Sequence, residues 1–373
     1  MFEHYEVFAR VGESTDIVRK EMYDFEDRGG RHLALRPEGT ASVVRAYVEH
    51  RPTTPWKVWY AAPNFRAEAP QAGRYRQHHQ LGVEALGSDD PDVDVEVIAL
   101  QAQFYESLGL RQVRLLLNSL GDSESRPRYL DALRTHFAAH VGDLSEQSRQ
   151  TLEVNALRVL DSKRSEDQSI VASAPAMADH LSDASAAHFE RVQSGLRRLG
   201  IAHELAPRLV RGLDYYTRTT FEFAADALDS AQNAVGGGGR YDGLAEQMGG
   251  PPTPGIGFGA GIERILLACD AESVFAPAQA CIDVFVIDVV DGTAALELTH
   301  SLRAAGVRAD RGFDGRSMKA QMKQANRAGA GMALIVGEQE AADGTVTVRD
   351  LVSSQQTAVP RSEIIDHVRK HLS

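Results

Sequence analysis

Cysteine is nearly absent: Cys269 and Cys281 are the only two in 373 residues. They share no CxxC spacing, which removes a zinc framework and points to a reducing compartment. A chain of this length buries roughly three quarters of its unfolded surface, so neither metal nor disulfide staples are required. Long apolar runs are also missing, since none approaches about 18 residues. The opening segment MFEHYEVFARVGE has neither the basic stretch nor the apolar core of a secretory signal. These absences point to a cytoplasmic protein without a membrane partner. A surplus of positive charge is lacking as well, with 52 Asp+Glu against 40 Lys+Arg and a formal charge of −12. Non-specific affinity for polyanions comes from summed Lys and Arg contacts, so a DNA-coating protein is excluded while a local anion site is not. Acidic and basic residues nearly balance from residue 278 onward, so the front of the chain carries the excess. Lysine supplies only six of the basic residues, a bias that genome composition explains as readily as the fit of arginine to phosphate.

What remains, 43% apolar and 25% charged residues, is the profile of a soluble globular protein of two or three domains. Periodicity predicts a helix over 15–25, a hairpin around Gly29-Gly30 and a helix over 39–50. Residues 57–68 and 73–85 read as two antiparallel strands, followed by an amphipathic helix over 94–108 and a strand over 113–117. Strand signals stop over 122–199, where helical patterns suggest an insertion, and resume at 203–210 and 218–224. A glycine cluster at 236–243 follows, and the run GIGFGAG then leads into a late helix; from about 278 strands alternate with helices, the mark of a separate α/β domain.

Side chains alternate across a strand, so parity sorts the two faces. Tyr60, Asn64, Arg66 and Glu68 share one face of the first paired strand, and Arg74, Arg76, His78, Gln80 and Glu84 share one face of the second. Each residue alone fits a solvated outer face. The set together suits a ligand bearing both anionic and cationic groups. The glycine runs at 236–239 and 255–261 let backbone approach a ligand closely, or let a helix pack tightly on a sheet. There is no Gly-Lys-Ser/Thr of a P-loop, no dinucleotide fingerprint after a first strand, no HExxH and no Ser-His-Asp order.

Six segments carry a resemblance: TDIVRKEMYDF, LRPEGT, FRAEAPQAGRYRQHHQLGVE, LVRGLDYYTRT, GGRYDGL and GIGFGAGIERILL. Together they resemble histidyl-tRNA synthetases, a class II aminoacyl-tRNA synthetase family, over essentially the whole chain. The resemblance implies an α+β fold. Its parts would be a class II antiparallel sheet flanked by helices over 1–270, a helical insertion at about 122–199, and an α/β anticodon-binding domain over 278–373. It implies a ligase that joins histidine to ATP, with Mg²⁺ accompanying the nucleotide, and passes the histidyl group to its tRNA. By resemblance, Glu38, Thr40 and Gln80 hold the α-amino end of histidine, while Glu84 and Tyr216, beside Tyr215, read the imidazole. Arg66 grips the α-phosphate and the carboxylate, Arg211 sits at the reacting phosphate, Arg74 and Arg264 take the outer phosphates beside Glu68, and His78 stacks on adenine.

Four departures from the family pattern stand out. The chain begins where the family would already have its first class motif, a helix and strand that form much of a homodimer interface. One residue fewer lies between Arg10 and Gly12. The loop usually reading ERPQ here reads Glu68-Ala69-Pro70-Gln71. His78 stands in place of Phe, which keeps a flat stacking surface but weakens it when protonated. The competing expectation is a histidine-binding paralogue acting as a regulatory subunit of ATP phosphoribosyltransferase. That group generally lacks both the LVRGLDYY arginine and the C-terminal domain.

Overall fold

The structure, a computed structural model, describes every residue except 13, 14, 16, 161, 211–214, 229–232, 276–281 and 373. The chain divides into two units, Met1–Phe275 and Ala276–Ser373. Among the described residues of the first unit, strands β1 (Phe2–His4), β2 (Tyr23–Glu26) and β3 (His32–Leu35) form a small sheet in the order β1-β3-β2. A second, seven-stranded sheet comprises β4 (Trp56–Phe65), β5 (Gln77–Leu86), β6 (Val113–Ser119), β7 (Glu204–Leu205), β8 (Thr217–Ala225), β9 (Ala234–Arg240) and β10 (Gly255–Gly261). Its order is β4-β5-β10-β9-β8-β6-β7, antiparallel throughout except for β6 beside β7.

The β2–β3 hairpin turns where the Asp27 carboxylate accepts the Gly29 and Arg31 amides at 2.8 and 3.0 Å, with Gly30 at φ 71°. The helix predicted over 15–25 shrinks to a π-helical turn at Ile17–Glu21. Tyr23 and Phe25 pair instead with Leu35 and Leu33, so cross-strand partners override the helical period. The strand predicted over 203–210 is confined to Glu204–Leu205. Pro207 can donate no ladder hydrogen bond, and the Asn118 amide takes the Pro207 and Leu209 carbonyls at 3.4 and 2.9 Å.

The glycine runs are β9 and β10, inner strands paired Gly257 to Gly239 and Gly259 to Gly237, and the second leads, as expected, straight into the helix Ile262–Ala271 with Gly261 at its N-cap. Their apolar alternates point to the other side, where Ile256, Phe258 and Ala260 pack with Phe221, Phe223, Leu115 and Leu117. Helices Pro91–Ser107, Asp183–Arg198 and Ile262–Ala271 cover that side with Ile98, Tyr105, Val192, Leu196, Ile265 and Ala268. One face of the sheet is thereby sealed with helices and the other is left polar. Between β6 and β7, the helices from Ser125–Ala139 to Gln168–Ser173 build a core of their own around Tyr129, Leu133, Phe137 and Ile170. The last helix of that stretch, Asp183–Arg198, packs on Pro91–Ser107 instead, with His188 Nε2 2.8 Å from Asp94.

A buried ion pair locks β9 to this scaffold. Arg240 and Asp94 are both fully buried, with Nη2 2.7 Å from the carboxylate. Arg240 also donates to the Ser88 and Asp90 carbonyls and to Asp242. Burial opposes its charge, and Asp94 with Asp242 outweighs that and holds its pKa above the usual value.

The second unit is a five-stranded sheet of β11 (Val284–Asp288), β12 (Ala309–Arg311), β13 (Met332–Val336), β14 (Thr345–Asp350) and β15 (Gln356–Pro360), in the order β12-β11-β13-β14-β15. The first three are parallel, the rest antiparallel. Val284 and Val286 enter one core and Phe285 and Ile287 another, so both faces of β11 are covered. That double burial explains why its sequence is continuously apolar rather than alternating.

Removing the Arg240 side chain leaves the buried Asp94 carboxylate with the His188 ring as its one remaining side-chain partner among the described residues. Arg240→Ala is expected to lose about 3–5 kcal/mol in urea unfolding. A loss under about 1 kcal/mol would show that the pair does not hold β9.

Candidate active site

Two adjoining cavities open on the polar face of the seven-stranded sheet. The smaller, about 130 Å³, is lined by Ile17, Glu38, Thr40, Tyr60, Tyr215 and Tyr216. The larger, about 510 Å³, is lined by Glu68, Arg74, His78, Glu222, Glu263 and Arg264, with Lys163 reaching in from the helical insertion. Both share Arg66, Gln80, Gly237 and Gly259. The glycines of β9 and β10 make the floor, and a Cβ on Gly257 would strike the Glu84 carboxylate and the Val83 carbonyl.

In the smaller cavity, Glu38 accepts the Thr40 and Ala41 amides at 2.5 and 2.9 Å and so caps the helix Thr40–His50. Burial pushes its pKa up in spite of these bonds. Asn64 donates to the Gln80 amide oxygen at 2.7 Å, and no described residue takes the Gln80 nitrogen. Tyr215 and Tyr216 stand with ring centroids 4.7 Å apart. Glu84 lies behind the wall, fully buried. Its carboxyl accepts from Tyr241 at 2.6 Å, Thr40 at 2.7 Å and Tyr60 at 3.3 Å. Burial pushes its pKa up to about 8, although these hydroxyls pull it down.

The larger cavity is basic. Arg74 pairs with Glu68 at 2.9 Å, and Arg66 is 3.8 Å from the same carboxylate while its Nε holds the Pro37 carbonyl. Arg264 is anchored by the carbonyls of Gly73 and Ala234 at 3.2 and 2.9 Å. Burial and then the nearby Arg74 lower its pKa. His78 is brought down to about 4, first by burial and then by Arg66, so it is neutral at physiological pH. Glu263 fixes the neighbouring strand by accepting the His79 amide and ring Nδ1, the latter at 2.8 Å.

The structure thus brings Glu38, Thr40, Arg66, Gln80, Tyr215 and Tyr216 to one cavity and Arg66, Glu68, Arg74, His78 and Arg264 to the next. Glu84 backs the smaller cavity rather than lining it. Arg211 lies outside the described residues. Tyr60 stood on the polar strand face by parity but carried no role, and Tyr241 was missed because GGRYDGL gave no sign that its glycines form a strand aimed at Glu84. Among the described residues no group of three or more His, Cys, Asp or Glu could hold a metal ion. No described helix is long and apolar enough to cross a membrane.

Residues 1–265 match the family model described as histidyl-tRNA synthetase, and residues 283–371 match the one described as anticodon binding domain. A histidine–tRNA ligase from Geobacillus sp. (strain WCH70) is 47% identical over 381 residues, covering 100% of this chain and 90% of the relative. One from Rhodococcus erythropolis is 50% identical over 372 residues, covering 98% and 87%. The apo structure of Staphylococcus aureus histidyl-tRNA synthetase superposes with a TM-score of 0.71 at 37% identity, covering 98% of this chain and 89% of that one.

A carboxyl whose pKa is about 8 when folded and 4.5 as a free side chain disfavours folding progressively as pH rises from the lower value to the upper, because only the unfolded chain releases the proton there. Glu84→Gln should therefore raise the melting temperature of the ligand-free protein more at pH 8.5 than at pH 4.5. A difference independent of pH would mean that the folded carboxyl titrates normally.

Proposed function

This chain belongs to the histidyl-tRNA synthetase family, and from that premise we propose that it ligates histidine to its tRNA in two steps. A histidine carboxylate oxygen attacks the α-phosphorus of ATP, the bond to the β-phosphate breaks, and pyrophosphate leaves. The terminal adenosine hydroxyl of the tRNA then attacks the carbonyl of the histidyl adenylate, and AMP leaves. The observation that carries the reading is the pair of cavities joined at Arg66, a small aromatic and acidic one and a larger basic one, sized for an amino acid and a nucleoside triphosphate.

In this reading Glu38, Thr40 and Gln80 meet the α-carbon end of histidine, and Glu84, Tyr215 and Tyr216 form the side-chain end. Arg66 bridges the carboxylate and α-phosphate, Arg74 and Arg264 take the outer phosphates beside Glu68, and neutral His78 offers its face to adenine. Arg211 stabilises the pentacoordinate phosphorus. Fixed cations around a positioned pair of reactants suffice for in-line attack, so no side chain need act as nucleophile or base. Among the described residues the donor set offers no metal cage, with Glu68 tied to Arg74 and Glu263 to His79. Mg²⁺ enters as part of the ATP substrate, on phosphate oxygens.

The tRNA has a surface to meet. A cleft of about 540 Å³ next to the larger cavity is lined by Arg19, Lys20, Arg158, Lys163 and Arg164 with Gln147, Gln150 and Asn155. Lys163 is common to both. Such cations suit phosphodiesters, and the amides suit sugar and base edges. The C-terminal domain, about 278–373, would take the anticodon arm. A cytoplasmic homodimer is the expected form; β4 is an open sheet edge with Trp59 72% exposed, the kind of apolar edge a second copy covers. A purely regulatory paralogue would leave the basic cavity and the cleft unused.

Histidine-dependent ATP–pyrophosphate exchange tests the first step and tRNA charging the second. Arg211→Ala should lower the exchange rate at saturating substrates by about 10²–10³, the usual cost of removing one preorganised donor. Exchange within about threefold of the unmodified protein would remove Arg211 from the mechanism. No exchange by the unmodified protein would favour the regulatory paralogue.

A further inference from the structure

The larger cavity and the cleft beside it have one lining residue in common among the described residues, Lys163. The other cations of the cavity belong to the sheet and its covering helix, and each is already tethered: Arg74 to Glu68, Arg264 to two carbonyls and Arg66 to the Pro37 carbonyl. Lys163 comes instead from the helical insertion, on the loop between the helices Ala156–Val159 and Gln168–Ser173. It is exposed, and no described residue pairs with its ammonium. Of the carboxylates that line the cavity, Glu68 is occupied by Arg74 at 2.9 Å and Glu263 by His79 at 2.8 Å, while Glu222 acts on Arg264. An ammonium on a flexible stem with free donors is a ready contact for phosphate oxygens.

The loop that carries Lys163 is built into the wall of the cleft. Asp167, fully buried, accepts the Ser145 amide and hydroxyl, both at 2.8 Å, the Ser148 hydroxyl at 2.6 Å and the Ser162 hydroxyl at 2.5 Å. Ser145 and Ser148 fix the start of the helix Glu146–Val154, whose Gln147, Gln150 and Thr151 line the cleft. Ser162 is the chain neighbour of Lys163, and its hydroxyl also accepts from the Arg164 amide at 3.4 Å. One buried carboxylate thus sets the position of Lys163 relative to the cleft wall, and the lysine stands at the boundary of both spaces. A single ammonium between two polyanions cannot serve both in full.

We propose that Lys163 is a shared phosphate contact. It holds the outer phosphates of ATP while the cavity is filled, and it turns to a backbone phosphate of RNA in the cleft, so that RNA loosens the hold on the phosphates that leave. By reciprocity, ATP weakens RNA binding by the same factor. This rests on reading the larger cavity as the ATP subsite and the cleft as the RNA surface.

The test is histidine-dependent ATP–pyrophosphate exchange by the unmodified protein, Lys163→Met and Lys163→Arg. Each is run without RNA and with saturating cognate tRNA ending in 2′,3′-dideoxyadenosine, which binds but cannot accept histidine. Without RNA, Lys163→Met should raise the KM for ATP by about tenfold, the loss of one charge-assisted hydrogen bond, and Lys163→Arg should restore most of it. The KM for histidine and the melting curve should not change, because the side chain is exposed. The terminated tRNA should raise the KM for ATP of the unmodified protein towards that same limit of about tenfold, and should leave that of Lys163→Met unmoved. If Lys163→Met keeps the KM for ATP within about twofold, the lysine does not meet the nucleotide and the proposal is overturned. If the tRNA shifts the KM for ATP equally in both proteins, or in neither, the contact is not shared and the proposal is overturned as well. If the unmodified protein shows no exchange at all, the reading beneath it falls too.

Discussion

The close approach of backbone along β5, β10 and β9 is the constraint on which the site depends. Alternate residues of β10 are glycines on the ligand side, and a side chain at Gly257 would occupy the space of the Glu84 carboxyl. The same economy of side chains seats Tyr60 between Gly39 and Gly82. Because the floor carries no side chains, the polar groups of β4 and β5 can converge over it instead of pointing to solvent. The apolar alternates of the same strands hold the sheet against its helices, so one alternation supplies both the core and the site.

Charge is partitioned along this surface. The smaller cavity and its wall keep two carboxyls out of water, Glu38 and Glu84, both with raised proton affinity. The larger cavity gathers Arg66, Arg74, Arg264 and Lys163 against Glu68, Glu222 and Glu263, with burial and then Arg74 lowering the pKa of Arg264. Arg66 lines both cavities, and in the proposed reading it stands where the carboxylate of one substrate meets the phosphorus of the other. The protein's net charge of −12 thus conceals a local excess of the opposite sign. Steering of an anionic substrate depends on that local field.

Much of this was legible in the sequence where pattern and chemistry agree. The 2.0 period of 57–68 and 73–85 put Tyr60, Asn64, His78, Gln80 and Glu84 on one face, and the paired register β4–β5 has that arrangement. Glycine has little strand propensity, so β9 and β10 do not read as strands, although GIGFGAG does read as leading into the helix that follows it, and Tyr241, just after β9, goes unassigned. Residues 15–25 have helical spacing, but the pairing of Tyr23 and Phe25 with β3 is a long-range effect that a local window does not contain. Nor did the sequence reveal that Glu84 sits behind Tyr60, since depth from a cavity wall depends on which neighbouring glycines admit a ring.

The most direct test of the account is a crystal structure of the protein with histidine and a non-hydrolysable ATP analogue. The account predicts the imidazole at Glu84 and Tyr216, the histidine carboxylate and α-phosphate both on Arg66, and the outer phosphates between Arg74 and Arg264. A nucleotide bound away from Arg66, or histidine outside the Glu38 and Thr40 cavity, would contradict it.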